Sequence, residues 1–600
     1  VLTLRLLPVV AAAGERLAAR SRSLVSPLAA WEVGRRPGRA AGAVLLLTLA
    51  LAVGSFSQSF LGTWRTSQAE QVDLATGTDV RLDRLDGSGI AQAGVVTGLP
   101  DVQAASPVTF RSVDLGQPAD SPTESRGRSV TLLALDTTAA DALLRGRISP
   151  PWGTIAAPLQ PAEPAAGVAL PGSPGRLVVD VDSSLSPAVG GLLLVSLVVQ
   201  DPWGTRTPVE LPPVPLVGSS PDVEVALPAT APGLRLVGVV AQTLPDPDDP
   251  FTPGLADLQL DVRVGNLRAV ERAAGATEDT VTPVALTDAT WSVQGALQED
   301  NVRPLLAVRT DSGVLRVTGA IDPFALLFGR SGFAAATFAA PGPVPVVVTD
   351  TLMAWFSLAV GDELELDLGG ARVRVVVERE VAYLPGLPTG AAVLADRDLL
   401  TRAALLDSST DPLLDEWWLQ VLDAKAPALV EEVQQGDLGV AVDRATARAV
   451  ATDGPLRVGV QAALWIVTVA SVALAVAGFA MSATVAVRTR RLELARLQAL
   501  GASRPGLVRS VLVEHAILGV LGLAAGLSLG AVLGQVVTPL VTVSAAGGRP
   551  IPAVLVQWPW ATQGGLVVVL VVLVGGAVAL TTSSLLRRAS GELLRLGDER

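Results

Sequence analysis

The chain is 600 residues long, half of them hydrophobic and only 17% charged, with a formal net charge of -12. A chain this apolar and this poor in charge is expected to carry membrane spans. It has no cysteine, one histidine (His515) and one lysine (Lys425), which excludes disulfides, thiol or thiolate-metal chemistry, lipidated-cysteine anchors and, before His515, a Ser-His-Asp triad or His-built zinc site.

In chain order, Val1 to Ala13 is apolar apart from Arg5, too short to span and without a signal-peptide pattern, so it reads as the end of an upstream helix. Residues 14–39 form an Arg-rich cytoplasmic linker (Arg16, Arg20, Arg22, Arg35, Arg36, Arg39) within a first segment of 1–39. The first span is expected at 40–58, followed by an α+β part at 59–149, a β-rich insert at 150–341 bracketed by Pro- and Gly-rich stretches, and a second α+β part at 342–457. GRLVVDVDSSL and GLLLVSLVVQD are strands of the insert by their β-branched content. PVPVVVTDTLMAWF predicts a strand then a helix, and ELELDLGGARVRVVV a hairpin turning at Gly369-Gly370. ALVEEVQQGDLG predicts a solvated helix. The α+β pieces on either side of the insert are expected to pair into one discontinuous domain.

Three further spans are expected at 458–487, 511–540 and 566–586, separated by a loop at 488–510 and a short outer loop at 541–565, with a tail at 587–600. Arginines concentrate before the first span, in the 488–510 loop and in the tail, while acidic residues outnumber basic ones between the first two spans. These basic segments are therefore expected in the cytoplasm and the large domain outside it. Trp31, Trp64, Trp465, Trp558 and Trp560 fall near the predicted interfaces. The fold class is a multi-pass α-helical membrane protein: one helix, a large extracytoplasmic α+β/β domain, three helices. No Asp, Glu, Lys or Arg lies inside the apolar runs 40–58, 458–487, 515–540 and 566–586, which disfavours an ion-coupled carrier and favours conformational transmission over passage through the bundle.

Gly522, Gly526, Gly530 and Gly534 recur every fourth residue and occupy one helix face, suited either to packing within the bundle or to contact with a second membrane-spanning half. Asp246, Asp248 and Asp249 read as a solvated acidic loop before they read as a calcium site. Trp417 and Trp418 are expected to anchor the outer core, and Trp203 and Trp291 to fill the core of the insert.

The stretch RTRRLELARLQALGASRPGLVRSVLVEHAILG is the most informative. Helical periodicity runs from Arg488 to Leu500, Gly501 stops it, and Ser503 can cap a new helix with Pro505 in its first turn, giving a rigid elbow. RRLELARLQALGAS, with Arg509 and Glu514 after it, resembles the loop of the FtsX-like, MacB-type permeases of ABC transporters. GLPDVQAASPV and VVVTDTLMAWFSLAVGDELELDLGGARVRVVV resemble the outer domain of that family more loosely, and the 150–341 insert falls outside the general pattern.

The resemblance implies a permease subunit that couples ATP hydrolysis by a separate ABC ATPase to work on the extracytoplasmic side: export, lipid or lipoprotein extraction, or envelope signalling by mechanotransmission. The coupling residues it implies are Arg488, Arg491, Glu493, Leu494, Leu497, Leu500, Gly501, Ser503, Arg509 and Glu514. Glu514 and His515 are otherwise interfacial and structural. Expected partners are the ATPase, a second permease half or the chain's own upstream half, since it opens on Val1 rather than Met, and the lipid bilayer of the cell membrane; no nucleic acid, cofactor or metal is expected. Lys425 lies in VLDAKAPAL rather than a GxxxxGK[ST] loop, so the chain is not expected to be an enzyme acting on ATP by itself. The competing expectation is a membrane-anchored binding or sensor protein for cell-envelope components; an envelope hydrolase built on a carboxylate pair is a weaker third.

Overall fold

The computed structural model describes residues 41–117, 128–163, 166–246, 257–272, 278–295, 303–328, 331–453, 455–490, 493, 496, 503–544 and 547–596. The expected upstream helix end at Val1 to Ala13 and Asp248 and Asp249 lie outside them. The chain divides into two compact units: residues 1–71 with 449–600, and residues 72–448.

The first unit is built on four helices long and apolar enough to cross a membrane. They are α1 (Ala41–Thr76), α2 (Pro455–Thr489), α3 (Arg504–Val541) and α4 (Trp560–Leu596). They flank the sheet-rich unit in sequence, one before it and three after. Their shared core brings together Leu47, Leu51, Phe479, Val511, Leu570 and Val578. The outward faces of α2, α3 and α4 remain apolar and exposed, as at Ile466, Val520, Val536 and Val572.

The apolar run of α1 ends near Gln58, yet the helix continues through Thr76, where irregular α+β structure was expected from residue 59. At a rise of about 1.5 Å per residue this helix is roughly 54 Å long, well beyond a hydrocarbon core of about 30 Å. Its polar continuation is held by partners. Ser59 Oγ donates to Gln557 O at 2.8 Å, Gln557 N donates to Thr63 Oγ1 at 2.8 Å, and Gln68 Nε2 donates to Val543 O at 3.2 Å. The interior is therefore less apolar than the sequence suggests. Ser55, Ser57, Ser59, Thr63, Ser67 and Gln68 form a buried, uncharged seam along α1.

The second unit has three sheets. The largest has nine strands and draws on both flanks of the insert. At one end, Val80–Asp83, Ala104–Gly116, Glu416–Gln420 and Val440–Asp443 form an antiparallel sheet with the helices Gly89–Gly98 and Ala426–Gln435 between successive strands. Their spatial order, second, third, first, fourth, is that of a ferredoxin-like split βαβ arrangement. The helix Ala426–Gln435 is amphipathic, burying Ala426, Leu429 and Val433. Ala104–Gly116 then continues into the rest of the sheet, which closes on itself where Glu363–Leu368 pairs with it through Leu366 opposite Leu115. Alternating inward residues such as Val113, Leu132, Val346, Leu366, Val375 and Val393 fill this six-stranded closure. The hairpin expected at Gly369-Gly370 is present, both glycines at positive φ (68° and 104°), as a two-residue turn between right-twisted strands requires.

Strands from Val168 to Ala336 form a seven-stranded and a six-stranded sheet that share one core, including Leu197, Val239, Val262, Leu315 and Trp291. The seven-stranded sheet is covered on its other face too, where Val198, Val237, Val240 and Ala334 meet Leu405 and Leu406 of the helix Arg397–Leu406. Burial on both faces explains why GLLLVSLVVQ is continuously apolar. Trp203 departs from expectation: it is half-buried outside the sandwich core, edge-on to Trp417 with centroids 6.1 Å apart, and its Nε1 donates to Thr97 Oγ1.

Beside these apolar contacts lies a buried charge cluster. Arg206 binds Asp398 and Thr401, and Arg402 binds Asp398 while donating to Glu163 O at 2.8 Å. Arg397 donates to Gly204 O at 3.3 Å. Asp201 shapes the loop between them by accepting from Trp203 N and Thr205 N, each at 2.9 Å. Burial pushes the Asp201 carboxyl up to about 6, against those hydrogen bonds and the Arg397 charge, and burial lowers Arg397 to about 10.

Candidate transmission site

One end of the bundle is defined by Val487 of α2, Leu507 of α3 and Leu586 of α4, which bury one another. α2 ends at Thr489 and α3 starts at Arg504, capped by Ser503, whose Oγ accepts from Gly506 N at 3.3 Å. Pro505 sits in the first turn, where its missing N–H costs nothing. Between these ends, Glu493 and Arg496 are helical and exposed. Of the other expected coupling residues, Arg488 and Arg509 are exposed, and Arg491, Leu494, Leu497, Leu500 and Gly501 lie outside the described residues.

Glu514 is not free at the interface. Its carboxylate takes both guanidinium nitrogens of Arg490, Nη1 to Oε2 at 3.0 Å and Nη2 to Oε1 at 3.3 Å. The side chains are only 17% and 12% exposed, so this two-point pair bolts the residue following α2 to the third turn of α3. Sequence reasoning passed over Arg490. Its signal was a basic residue at the inner end of one span and an acidic one at the inner end of the next. His515, next to Glu514, is buried and edge-on to Phe479 of α2 with centroids 6.1 Å apart.

The glycine face of α3 lies on α1 of the same chain. A Cβ added at Gly526 would stand 2.8 Å from Leu51 Cβ and 2.9 Å from Thr48 O; at Gly530 it would stand 2.7 Å from Ser55 Cβ and 3.1 Å from Ala52 O. Gly522 and Gly534 face Leu47 and Ser59. All four thus lie against α1.

Within the sheet-rich unit, Asp73 near the end of α1 binds Arg448 and is 3.5 Å from Arg444, both on the helix Arg444–Asp453. Arg444 also reaches Asp79 at 2.7 Å and Asp423 at 2.6 Å, and Arg145 pairs with Asp79 through two hydrogen bonds at 2.6 and 2.8 Å. The Asp73 carboxylate holds the Arg448 guanidinium above its ordinary value. Trp417 and Trp418 are fully buried, Trp418 beneath the Arg81 guanidinium, which itself pairs with Glu416 at 2.8 Å. No group of three or more acidic or histidine ligands able to hold a metal occurs among the described residues.

No curated protein matches the chain. Residues 465–587, from within α2 through the elbow to the end of the apolar part of α4, match the family model described as FtsX-like permease C-terminal. Over that stretch the chain is similar to the C-terminal domain of FtsX-like permeases, consistent with an FtsX-like permease family member.

Proposed function

We propose that this chain is the permease subunit of an ABC transporter that converts the nucleotide cycle of a separate ATPase into movement of the sheet-rich unit on the extracytoplasmic side of the cell membrane. Permeases of this family generally work with an ABC ATPase. The observation that carries the reading is the Arg490–Glu514 pair inside the matched region: it ties the residue after the end of α2 to α3. An ATPase seated on Glu493, Arg496 and their neighbours would move the helices with it. Both unit boundaries fall inside helices, between Gln71 and Val72 in α1 and between Arg448 and Ala449. A helix transmits displacement where a loop would absorb it. The arginines of the elbow and tail support a cytoplasmic side for these segments.

The buried seam of α1 carries hydroxyls and amides but no acid or base, so it offers no proton relay. Export, extraction of a lipid-anchored molecule and envelope signalling are all compatible with such a device. The test is purification of the full chain together with the ATPase from its native host, followed by reconstitution. The expected result is a stable complex whose ATPase rate depends on the permease and falls when Glu493 is replaced by Ala or Glu514 by Gln. An isolated segment 72–448 that retains the whole activity would establish the sensor reading instead.

A further inference from the structure

Between α1, α3 and α4 lies a cavity of about 260 Å³ whose lining includes Leu47, His515, Gly519, Leu523, Val571 and Gly575. Two features make it more than a packing defect. A Cβ added at Gly519 or at Gly575 would meet nothing within 4 Å, so these glycines do not serve close helix approach as Gly526 and Gly530 do. His515 is 5% exposed, and its Nδ1 lies 2.9 Å from Val511 O, a carbonyl that can only accept. Nδ1 therefore carries a proton, and in the neutral form of the ring Nε2 is an acceptor. Nε2 is buried and has no hydrogen-bond partner among the described residues. An unmet acceptor in an otherwise apolar recess is costly.

His515 is the one polar side chain of a lining that is otherwise apolar, as at Leu47, Leu523 and Val571. Val520 and Val571 are 67% and 51% exposed, so the recess opens on the flank of the bundle. In a membrane that flank faces lipid. A single hydrogen-bonding group beside an apolar stretch is also what a hydroxyl next to an acyl chain presents in a lipid. A cavity of about 150 Å³ holds a six-carbon ring, so this one holds roughly ten chain carbons, one acyl chain and not two.

We infer that this recess binds a hydroxyl-bearing membrane lipid through one acyl chain, the hydroxyl donating to His515 Nε2 and the chain lying along Gly519, Leu523 and Gly575. Lipid tails are as apolar as the lining, so burial alone would not favour the bound chain over bulk bilayer. The hydrogen bond and the fit around the two glycines supply the selectivity. The site rests on the membrane placement of the helices in the reading above and needs no ATPase.

The test is photolabelling of the full chain in nanodiscs with a lysophospholipid carrying a diazirine in its acyl chain and a free hydroxyl on its glycerol, against the same probe with that hydroxyl O-methylated. Peptide mapping should place the label on residues 516–523 and 571–578. The free-hydroxyl probe should compete about tenfold better, the size of one hydrogen bond to a buried acceptor. That preference should collapse toward onefold in H515L, while G519L and G575L, which fill the recess, should each cut labelling at both peptides several-fold with unchanged thermal unfolding. The inference is overturned if the two probes label equally, if the glycine variants label like the parent, or if the 520 and 571 positions cross-link to a second copy of the chain. Absence of label from all four helices would instead overturn their membrane placement.

Discussion

Replacing single glycines of α3 by alanine should separate two effects that a stability measurement normally mixes. At every helical glycine the change to alanine stabilises by roughly 1 kcal/mol through backbone entropy. At Gly519 the new methyl meets nothing within 4 Å, so that gain should appear undiminished. At Gly526 the methyl would stand 2.9 Å from the Thr48 carbonyl oxygen and 2.8 Å from Leu51 Cβ, and neither is the far end of a flexible side chain. α1 and α3 must move apart, at a cost of about 1–3 kcal/mol for overpacking. Because the entropy gain cancels between the two variants, G526A should be less stable than G519A by about that amount. G530A should behave like G526A, with Ser55 Cβ at 2.7 Å, whereas G522A meets first the end of the Leu47 side chain at 3.0 Å and should be milder. Thermal unfolding of the full chain in one detergent, monitored by helix signal, gives the ranking. Equal midpoints for G519A and G526A would refute the assignment of the glycine face to α1.

Three other perturbations test separate parts of the molecule. E514Q keeps the shape of the side chain but removes the charge that Arg490 holds in a mostly buried site; it should destabilise by roughly 1–3 kcal/mol and reduce permease-dependent ATPase turnover, read in the reconstituted complex. Asp201 has a folded value of about 6 against 3.8 in a free chain, so its ionisation penalises the fold above pH 6 and not below about pH 4. D201N should therefore stabilise the chain at pH 8 by up to roughly 3 kcal/mol, the gain shrinking as pH falls through 6 and vanishing near 4, measured by denaturant unfolding across pH. A gain independent of pH would show that burial of the charge is not its source. D73N should loosen the hold on Arg448 and raise amide exchange in the 444–453 helix relative to the 89–98 helix of the same sheet-rich unit.

The four long helices were legible because a membrane-spanning helix advertises itself by length and apolarity alone. What each helix touches was not. The spacing of Gly522, Gly526, Gly530 and Gly534 fixes a face, but a face has no sequence label for its neighbour, and only the geometry assigns it to Leu47, Leu51, Ser55 and Ser59. The extent of α1 was misjudged because TWRTSQAEQ has the composition of a solvated segment. Its helix persists through hydrogen bonds to residues almost 500 positions away, such as Ser59 to Gln557. In the sheet-rich unit, strands and the Gly369-Gly370 turn follow from local pattern. The closure of Leu115 on Leu366 and the pairing of Arg81 with Trp418 join residues far apart in the chain, where local pattern is silent. Trp203 illustrates the same limit: its neighbourhood in sequence is the sandwich, while its ring packs on Trp417.

The chemistry of α1 bears on how a push at the elbow could be passed on. A helix greased on every face would slide and rotate against its neighbours in lipid, since apolar contacts there are nearly interchangeable. α1 is instead keyed at two levels. In the half that begins at Ala41, four glycines of α3 take its Leu47, Leu51, Ser55 and Ser59 at distances that leave no room for a Cβ at the two central ones. Further along, Gln563 Nε2 donates to Ser55 O at 3.0 Å, Gln557 pairs with Ser59 and Thr63, and Gln68 holds Val543 O. Each rung is hydrogen-bonded at a fixed axial position, so rotation or translation of α1 by one residue would break all of them together. With Arg490 and Glu514 fixing α2 to α3 at the inner end, displacement of the elbow has no low-cost outlet within the bundle and is expected to move α1 as a unit with α3.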